Sequence, residues 1–109
     1  MPGAEREMQN PYVQIAELEI DPGRLEDYKA AVREQIETAI LTEPGVLVLY
    51  SVSEKDNPAH FRVFEIYRDA DAYAAHLESA HFKSYKINTK DMVKSLKLVL
   101  VSPVMLGAK

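Results

Sequence analysis

The sequence predicts an α+β sandwich whose elements follow the order β-α-β-β-α-β. Four short runs are apolar or alternate between apolar and polar residues, which is typical of strands. Two longer segments between them carry apolar residues three and four apart, as amphipathic helices do. Turns that contain proline or glycine separate these segments. This order is that of the ferredoxin-like split β-α-β arrangement, in which two helices cover one face of a four-stranded antiparallel sheet.

The first half of the chain contains a strand, a helix and a second strand. The alternation in residues 12–20 is imperfect but favours a strand. A turn then leads into a helix over about residues 24–41, which ends at Pro44 and Gly45 because proline cannot continue a helix and glycine permits a reversal. Its apolar stripe consists of Leu25, Tyr28, Val32, Ile36, Ala39 and Ile40. Residues 46–52 are short, apolar and rich in β-branched side chains, which predicts the second strand.

The second half adds a strand, a broken helix and a last strand. A turn signal around Asn57 predicts a hairpin between the second and third strands. Asp69 is placed to cap the helix that follows, and this helix is expected to break near Ser79. The predicted segments are the third strand over residues 60–67, a short helical piece over 81–86, one more helical turn over 88–93 and the last strand over 96–101.

One domain accounts for nearly the whole chain. A length of 109 residues allows one hydrophobic core but not two. We expect residues 1–11 to be a flexible polar arm and residues 12–103 to form the domain. The tail over residues 104–109 stays apolar through Leu106 and is expected to contact a partner subunit.

Two of the predicted strands point to a homodimer. Residues 46–52 and 96–101 are apolar at nearly every position, whereas a sheet with one solvated face should alternate. Both faces of the sheet are therefore expected to be covered, yet the chain has enough helix for only one. A second copy packed on the open sheet face is the simplest cover.

Composition excludes several classes of protein. A net charge of −4 and a pI near 5.3 disfavour binding to nucleic acid, because the phosphates would not be neutralised. The absence of cysteine excludes disulfides, thiolate metal sites and thiol nucleophiles. The first residues lack the apolar core of a signal peptide, and no apolar run is long enough to span a membrane, so we expect a cytoplasmic protein.

The candidate site lies between the third strand and the helix after it. Glu65 and Tyr67 are two residues apart on a strand, so their side chains leave the same face. Tyr73, His76 and Leu77 share one face of the helix. His76 is either a general base or donor for a substrate, or a core-edge histidine that is hydrogen-bonded within the fold. Glu65 has either a role in the site or a structural ion pair or hydrogen bond.

No metal or cofactor site is predicted. His81 follows His76 by five residues, about 140° around an ideal helix, so the two do not form a metal site on one face. The chain has no glycine-rich phosphate loop. Four cationic residues flank the proposed pocket and either hold an anionic substrate or are simply solvated: Arg62, Arg68, Lys83 and Lys86.

These residues resemble the signature of the antibiotic biosynthesis monooxygenase superfamily. The matching positions are Glu65, Tyr67 and Asp69, then Ala72, His76, Ser79, His81, Phe82 and Lys83. The resemblance covers about residues 12–103 and implies a dimeric α+β barrel with a pocket between helices and sheet in each subunit. Its oxygenase members oxidise quinols, anthrones and related aromatics with molecular oxygen and use no metal, flavin or haem.

The resemblance leaves three functions open. Many oxygenase members have tryptophan at the position of Tyr67, and tyrosine there is similar to the branch that isomerises the phosphorylated autoinducer-2 signal. Such an isomerase would need Arg68 or Lys83 for the phosphate. A dimeric module that only binds a small ligand is the third alternative, whereas haem degradation is disfavoured because the first strand lacks the asparagine of that branch.

The leading hypothesis is a cofactor-independent monooxygenase that acts on a quinol or small aromatic. His76 is assigned as the base or hydrogen-bond donor, and Glu65 is assigned to orient it. The residues expected to bind the substrate are Tyr67, Tyr73, His81, Phe82, Arg68 and Lys83.

Overall fold

The computed structural model describes residues 10–109, so most of the predicted arm over residues 1–11 lies outside the described residues. Its elements are β1 (Tyr12–Ile20), a short 3₁₀ turn (Pro22–Arg24), α1 (Leu25–Thr42), β2 (Val46–Glu54), β3 (Asn57–Tyr67), α2 (Ala70–Glu78), α3 (Ala80–Thr89) and β4 (Val93–Val101). The predicted fold class is confirmed. No helix among the described residues is both long and apolar enough to cross a membrane.

The four strands form one antiparallel sheet in the order β2-β3-β1-β4. In this order β1 and β3 are interior strands, and β2 and β4 are edges. The register places Gln14 of β1 directly opposite Glu65 of β3, and Leu49 of β2 on the other side of Glu65. Because paired residues on neighbouring strands point to the same face, these three side chains meet under the helices.

The end of α1 packs closely against α2. The backbone N–H of Glu43 donates to the carbonyl of Ala39, which closes the last turn of α1. A Cβ atom at Gly45 would lie 2.5 Å from the Cβ of Ala72, so only glycine allows this approach. The Gly45 carbonyl also accepts from the Arg68 N–H at 2.8 Å, which ties the loop to the end of β3. These contacts hold Glu43 close to the start of α2.

The helix after β3 breaks at Ser79, as the sequence predicts. The Asp69 carboxylate accepts from the Ala72 N–H at 2.8 Å and caps α2. Ser79 is extended, and its hydroxyl accepts from the Phe82 N–H at the start of α3. The predicted bounds after this break are wrong in part: α3 continues to Thr89, and β4 starts at Val93 because that residue already pairs with Ile20 of β1.

Apolar side chains remain uncovered on both faces of the sheet. On the face away from the helices, Tyr50 and Val52 of β2 are more than half exposed. On the helix face, the edge strand β4 leaves Leu96, Leu98 and Leu100 partly exposed. A single sheet with one helical layer does not bury these side chains, which is the condition under which a second subunit stabilises a fold.

Candidate active site

A cavity of about 280 Å³ lies between the sheet and the three helices. Its polar lining residues are Gln14, Gln35, Glu65, Tyr67, Tyr73, His76, Tyr85 and Lys86. Its apolar lining residues are Ala16, Leu18, Val32, Ile36, Leu49, Val63, Leu77, Phe82, Leu96 and Leu98. A small cavity with an apolar wall and a few polar side chains is the usual form of a small-molecule site.

Glu65 is buried in the middle of the sheet and hydrogen-bonded to two neighbours. Its Oε1 accepts from the Tyr67 hydroxyl at 2.6 Å and from the Gln14 amide at 3.1 Å. Burial raises the pKa of the Glu65 carboxyl, while the hydrogen bonds from Tyr67 and Gln14 and the nearby His76 act in the opposite direction. The net effect is that Glu65 keeps its proton to higher pH than an exposed glutamate.

Burial and the Glu65 charge also raise the pKa of the Tyr67 hydroxyl. Tyr67 therefore stays protonated and donates to Glu65. The two residues form a fixed pair on one strand, in which the carboxyl can exchange a proton and the phenol cannot.

His76 lies at the cavity wall and is oriented by Glu43. Only 2% of His76 is exposed, and its Nδ1 lies 2.8 Å from Oε2 of Glu43. Because a carboxylate accepts, the Nδ1 carries the proton and Nε2 is left as the acceptor in the neutral ring. The prediction that Glu65 orients His76 is wrong, since Glu65 is bonded to Tyr67 and Gln14 and the end of α1 brings a second glutamate to the ring.

His81 approaches the same Glu43 oxygen. Its Nε2 lies 2.6 Å from Glu43 Oε2, and the rings of His76 and His81 are 6.0 Å apart. The predicted separation of about 140° is wrong because it assumes one continuous helix, whereas the break at Ser79 places the two histidines on different helices. His81 does not line the cavity.

Glu43, His76 and His81 could hold a metal ion. One ligand atom from each lies within 4.8 Å of the others. Two imidazoles and one carboxylate are ligands that several divalent transition metals accept. The same three atoms are satisfied by the two hydrogen bonds to Glu43, so the cluster also has a complete structural role without an ion.

Aromatic contacts fix the wall around His76. The ring of Tyr73 stacks on Tyr12 with centroids 4.3 Å apart and meets Tyr67 edge-on at 5.0 Å. The ring of Phe82 lies 4.8 Å from that of His76. Tyr67, Tyr73 and Phe82 thus reach the cavity where the sequence places them. Their mutual packing limits the rotamers of the histidine.

The model of the antibiotic biosynthesis monooxygenase (ABM) family matches residues 11–86. The chain belongs to the ABM family. The match runs from β1 into α3 and contains Glu43, Glu65, His76 and His81. The resemblance inferred from the sequence is confirmed.

Solved structures show the same fold at full length. A protein from Bacteroides thetaiotaomicron VPI-5482, named provisionally as an antibiotic biosynthesis monooxygenase, is 46% identical with a TM-score of 0.89, over 93% of this chain and 96% of its own. A protein from Nitrosomonas europaea with the same provisional name is 27% identical with a TM-score of 0.82, over 87% of this chain and 91% of its own.

A longer protein contains the same fold as part of its chain. A provisionally named monooxygenase from Lactobacillus acidophilus NCFM is 30% identical with a TM-score of 0.82, over 84% of this chain but 44% of its own. No functionally curated protein matches the sequence significantly.

Arg68 and Lys83, which the sequence suggested for substrate binding, do not line the cavity of this ABM domain. Arg68 is 3.7 Å from the Asp69 carboxylate and Lys83 is 2.9 Å from that of Glu78. Neither lines the cavity, whereas Lys86 does. The structure therefore does not assemble Arg68 and Lys83 into an anion site.

Sequence reasoning missed three polar residues of the site. Glu43 lies in the helix-ending turn with Pro44 and Gly45, and this pattern predicts no role for its side chain. Gln35 follows Tyr28 by seven residues, which is two helical turns, and this spacing does predict its place on the buried face of α1. Gln14 reaches Glu65 only through the β1–β3 register, which no local pattern reveals.

Proposed function

We propose that this ABM protein is a monooxygenase that oxidises an electron-rich aromatic, such as a quinol or anthrone, with molecular oxygen and without a resident cofactor. The observation that carries this proposal is a buried histidine on the wall of a largely apolar cavity, held by Glu43 through Nδ1. A held imidazole with a free Nε2 is suited to remove a proton from a bound hydroxyl or an activated CH₂ group.

The chemistry asks little of the protein beyond proton transfer and exclusion of water. For an anthrone-type substrate, His76 takes a proton from the CH₂ group, and the resulting carbanion forms a C–O bond with oxygen. Protonation gives a hydroperoxide; loss of the second C–H proton and cleavage of the O–O bond then give a carbonyl and water. One oxygen atom enters the product and the other leaves in water, so the substrate supplies all four electrons.

Glu65 is suited to the second proton transfer. Because burial raises its pKa, the Glu65 carboxyl retains a proton that it can give to the departing oxygen. The aromatic rings of Tyr67, Tyr73 and Phe82 line the cavity and would keep water from the carbanion. His81 supports the site through Glu43 rather than by contact with the substrate.

The cation distribution favours the oxygenase over the isomerase. A phosphorylated substrate needs a cluster of cationic groups around the phosphate. Lys86 is the one cationic lysine or arginine among the described residues that lines the cavity. The rest of the lining suits an uncharged aromatic better than a sugar-like phosphate.

We also propose that the active form is a homodimer joined through the open sheet face. Exposed Tyr50 and Val52 on that face support this. A light-scattering mass of one chain at micromolar concentration would contradict it.

Oxygen uptake by metal-stripped protein tests the proposed reaction. With a reduced naphthoquinol or an anthrone as substrate, we expect uptake above the autoxidation rate. His76→Ala should reduce that uptake by about 10²- to 10⁴-fold, which is the usual contribution of a general base. His60→Ala is the matched control, because His60 does not line the cavity.

Three outcomes would count against the proposal. No uptake with several such substrates would favour the isomerase or a binding module. Uptake that His76→Ala leaves unchanged would show that this histidine is structural. Uptake that appears only after Mn²⁺, Fe²⁺ or Zn²⁺ is added back would show that the Glu43, His76 and His81 cluster works as a metal site.

A further inference from the structure

The buried face of α1 carries one polar side chain whose hydrogen-bonding capacity is unused. Four residues of this helix are buried, and they are Tyr28, Val32, Gln35 and Ala39. Gln35 is 8% exposed, and its Oε1 is fully buried without a hydrogen-bond partner among the described residues. A buried amide oxygen without a partner is costly and rare in folded proteins. Gln35 also lines the cavity, so a ligand in that cavity is a natural partner.

Gln35 and His76 reach the cavity from different helices: His76 lies on α2, and Gln35 lies on α1. It precedes Glu43 by eight residues, and at about 1.5 Å per helical residue their α-carbons are roughly 12 Å apart along the helix axis. Glu43 holds His76 at the far end of α1. Apolar side chains of Ile36 and Leu49 also line the cavity. The cavity therefore has polar groups on both α1 and α2, with apolar side chains among them.

We propose that Gln35 determines substrate specificity by accepting a hydrogen bond from a second hydroxyl of the substrate, remote from the one whose proton His76 removes. This inference rests on the proposed function and narrows it to aromatic diols of the hydroquinone type. When a ring with a single hydroxyl fills the cavity and excludes water, the Gln35 oxygen is left without a hydrogen-bond partner. Sites built to bond a substrate hydroxyl discriminate strongly against analogues that lack it, for this reason.

Anaerobic binding of two matched ligands tests the role of Gln35 independently of turnover. The ligands are 1-naphthol, with one hydroxyl, and 1,4-dihydroxynaphthalene, with two on the same ring system. We expect wild-type protein to bind the diol about 10-fold more tightly or better, which is typical for a hydrogen bond to an unpaired buried group.

Two substitutions at Gln35 separate acceptance from donation. Gln35→Met keeps the shape of the side chain and removes the amide. It should abolish the preference by weakening binding of the diol while leaving binding of 1-naphthol unchanged. Gln35→Glu keeps an acceptor and should retain more of the preference than Gln35→Met. Ile36→Met, at a neighbouring lining position, is the control for a general change in the cavity and should leave the preference unchanged.

Several results would overturn the inference. One is that Gln35→Met loses affinity for both ligands equally, and another is that its preference for the diol is unchanged. The third is that wild-type protein does not bind the diol. The thermal midpoint of Gln35→Met should not fall, because an unpaired polar group is replaced by an apolar one. If the preference depends on Gln35 but no oxygen uptake is seen, the binding role of Gln35 stands and the oxygenase proposal is refuted. If oxygen uptake is seen without that preference, the oxygenase proposal stands and the role of Gln35 is refuted.

Discussion

Glu43 and Glu65 are two carboxylates near one histidine, and the fold gives them different surroundings. Glu65 lies in the interior strand β3, where it accepts hydrogen bonds from the Tyr67 hydroxyl and the Gln14 amide. Glu43 lies at the end of α1, is partly exposed, and receives two imidazoles on one oxygen. Desolvation dominates at Glu65 and raises its pKa. Glu43 instead contacts the ring nitrogens of His76 and His81.

In the proposed reaction the two residues therefore have different tasks: Glu65 donates a proton, and Glu43 positions the base His76. A carboxyl that keeps its proton can act as a donor, and a carboxylate that holds Nδ1 fixes the tautomer of a base. Three changes that affect the two carboxylates unequally test this division.

The largest effect is expected from Glu43→Gln. The Gln side chain can donate an amide hydrogen to Nδ1 of His76, which would move the ring proton to Nε2 and remove the base. We expect kcat/KM for oxygen-dependent turnover to fall on the order of 10²- to 10⁴-fold, as when a comparable orienting carboxylate is replaced. Nitrogen-15 chemical shifts of His76 measure the tautomer directly, whether or not the reaction is the proposed one.

Glu65→Gln is the comparison for that experiment. It should leave the protonated nitrogen of His76 unchanged, because Glu65 does not bond the ring. If Glu65→Gln changes the tautomer and Glu43→Gln does not, the roles assigned to the two glutamates are reversed.

The contrast between the glutamates also marks how far the sequence predicts this structure. The strand and helix order follows from local periodicity and turns, and it is confirmed along the chain. Glu65 and His76 are predicted to share one site because each faces the same layer, and both line the cavity. Glu43 is not predicted, because its contact depends on how closely Gly45 lets α1 approach Ala72. Close packing between elements distant in sequence leaves no periodic signal.

Gly45→Ala should have the next largest effect. A Cβ there would lie 2.5 Å from the Cβ of Ala72, so the loop or α2 must move. Overpacking of this kind typically costs about 1–3 kcal/mol of unfolding free energy, measured by urea denaturation. We expect the Glu43–His76 contact to loosen, which would alter the nitrogen-15 shifts of His76 while the Glu65 pair on the sheet stays intact.

Gly23→Ala is the matched control for that substitution. A Cβ at Gly23 would meet only the Asp21 side chain at 3.5 Å, an ordinary contact. Its stability change should be within about 1 kcal/mol, as is usual for glycine to alanine where the backbone allows it. Equal losses at both glycines would mean that the packing of Gly45 on Ala72 is not what positions Glu43.

The smallest effect is the pH dependence that Glu65 gives to stability. In the unfolded chain its carboxyl has the ordinary pKa of 4.5, and in the folded protein burial raises it. Between these two values the folded state binds more protons than the unfolded state, so the contribution of Glu65 to stability falls as pH rises. The variant Glu65→Gln has no such proton, so the stability of wild type relative to this variant should decrease as pH rises from 4.5 through that window.

Urea denaturation of both proteins at pH 5 and pH 7.5 measures this difference. Hydrogen bonds from Tyr67 and Gln14 oppose the desolvation, which is why the effect is expected to be small. A relative stability that instead increases with pH would show that these two hydrogen bonds outweigh the desolvation and that Glu65 is ionised in the folded protein. Glu65 would then be a fixed charge beside the substrate rather than a proton donor, and the departing oxygen would have to take its proton from the imidazolium of His76.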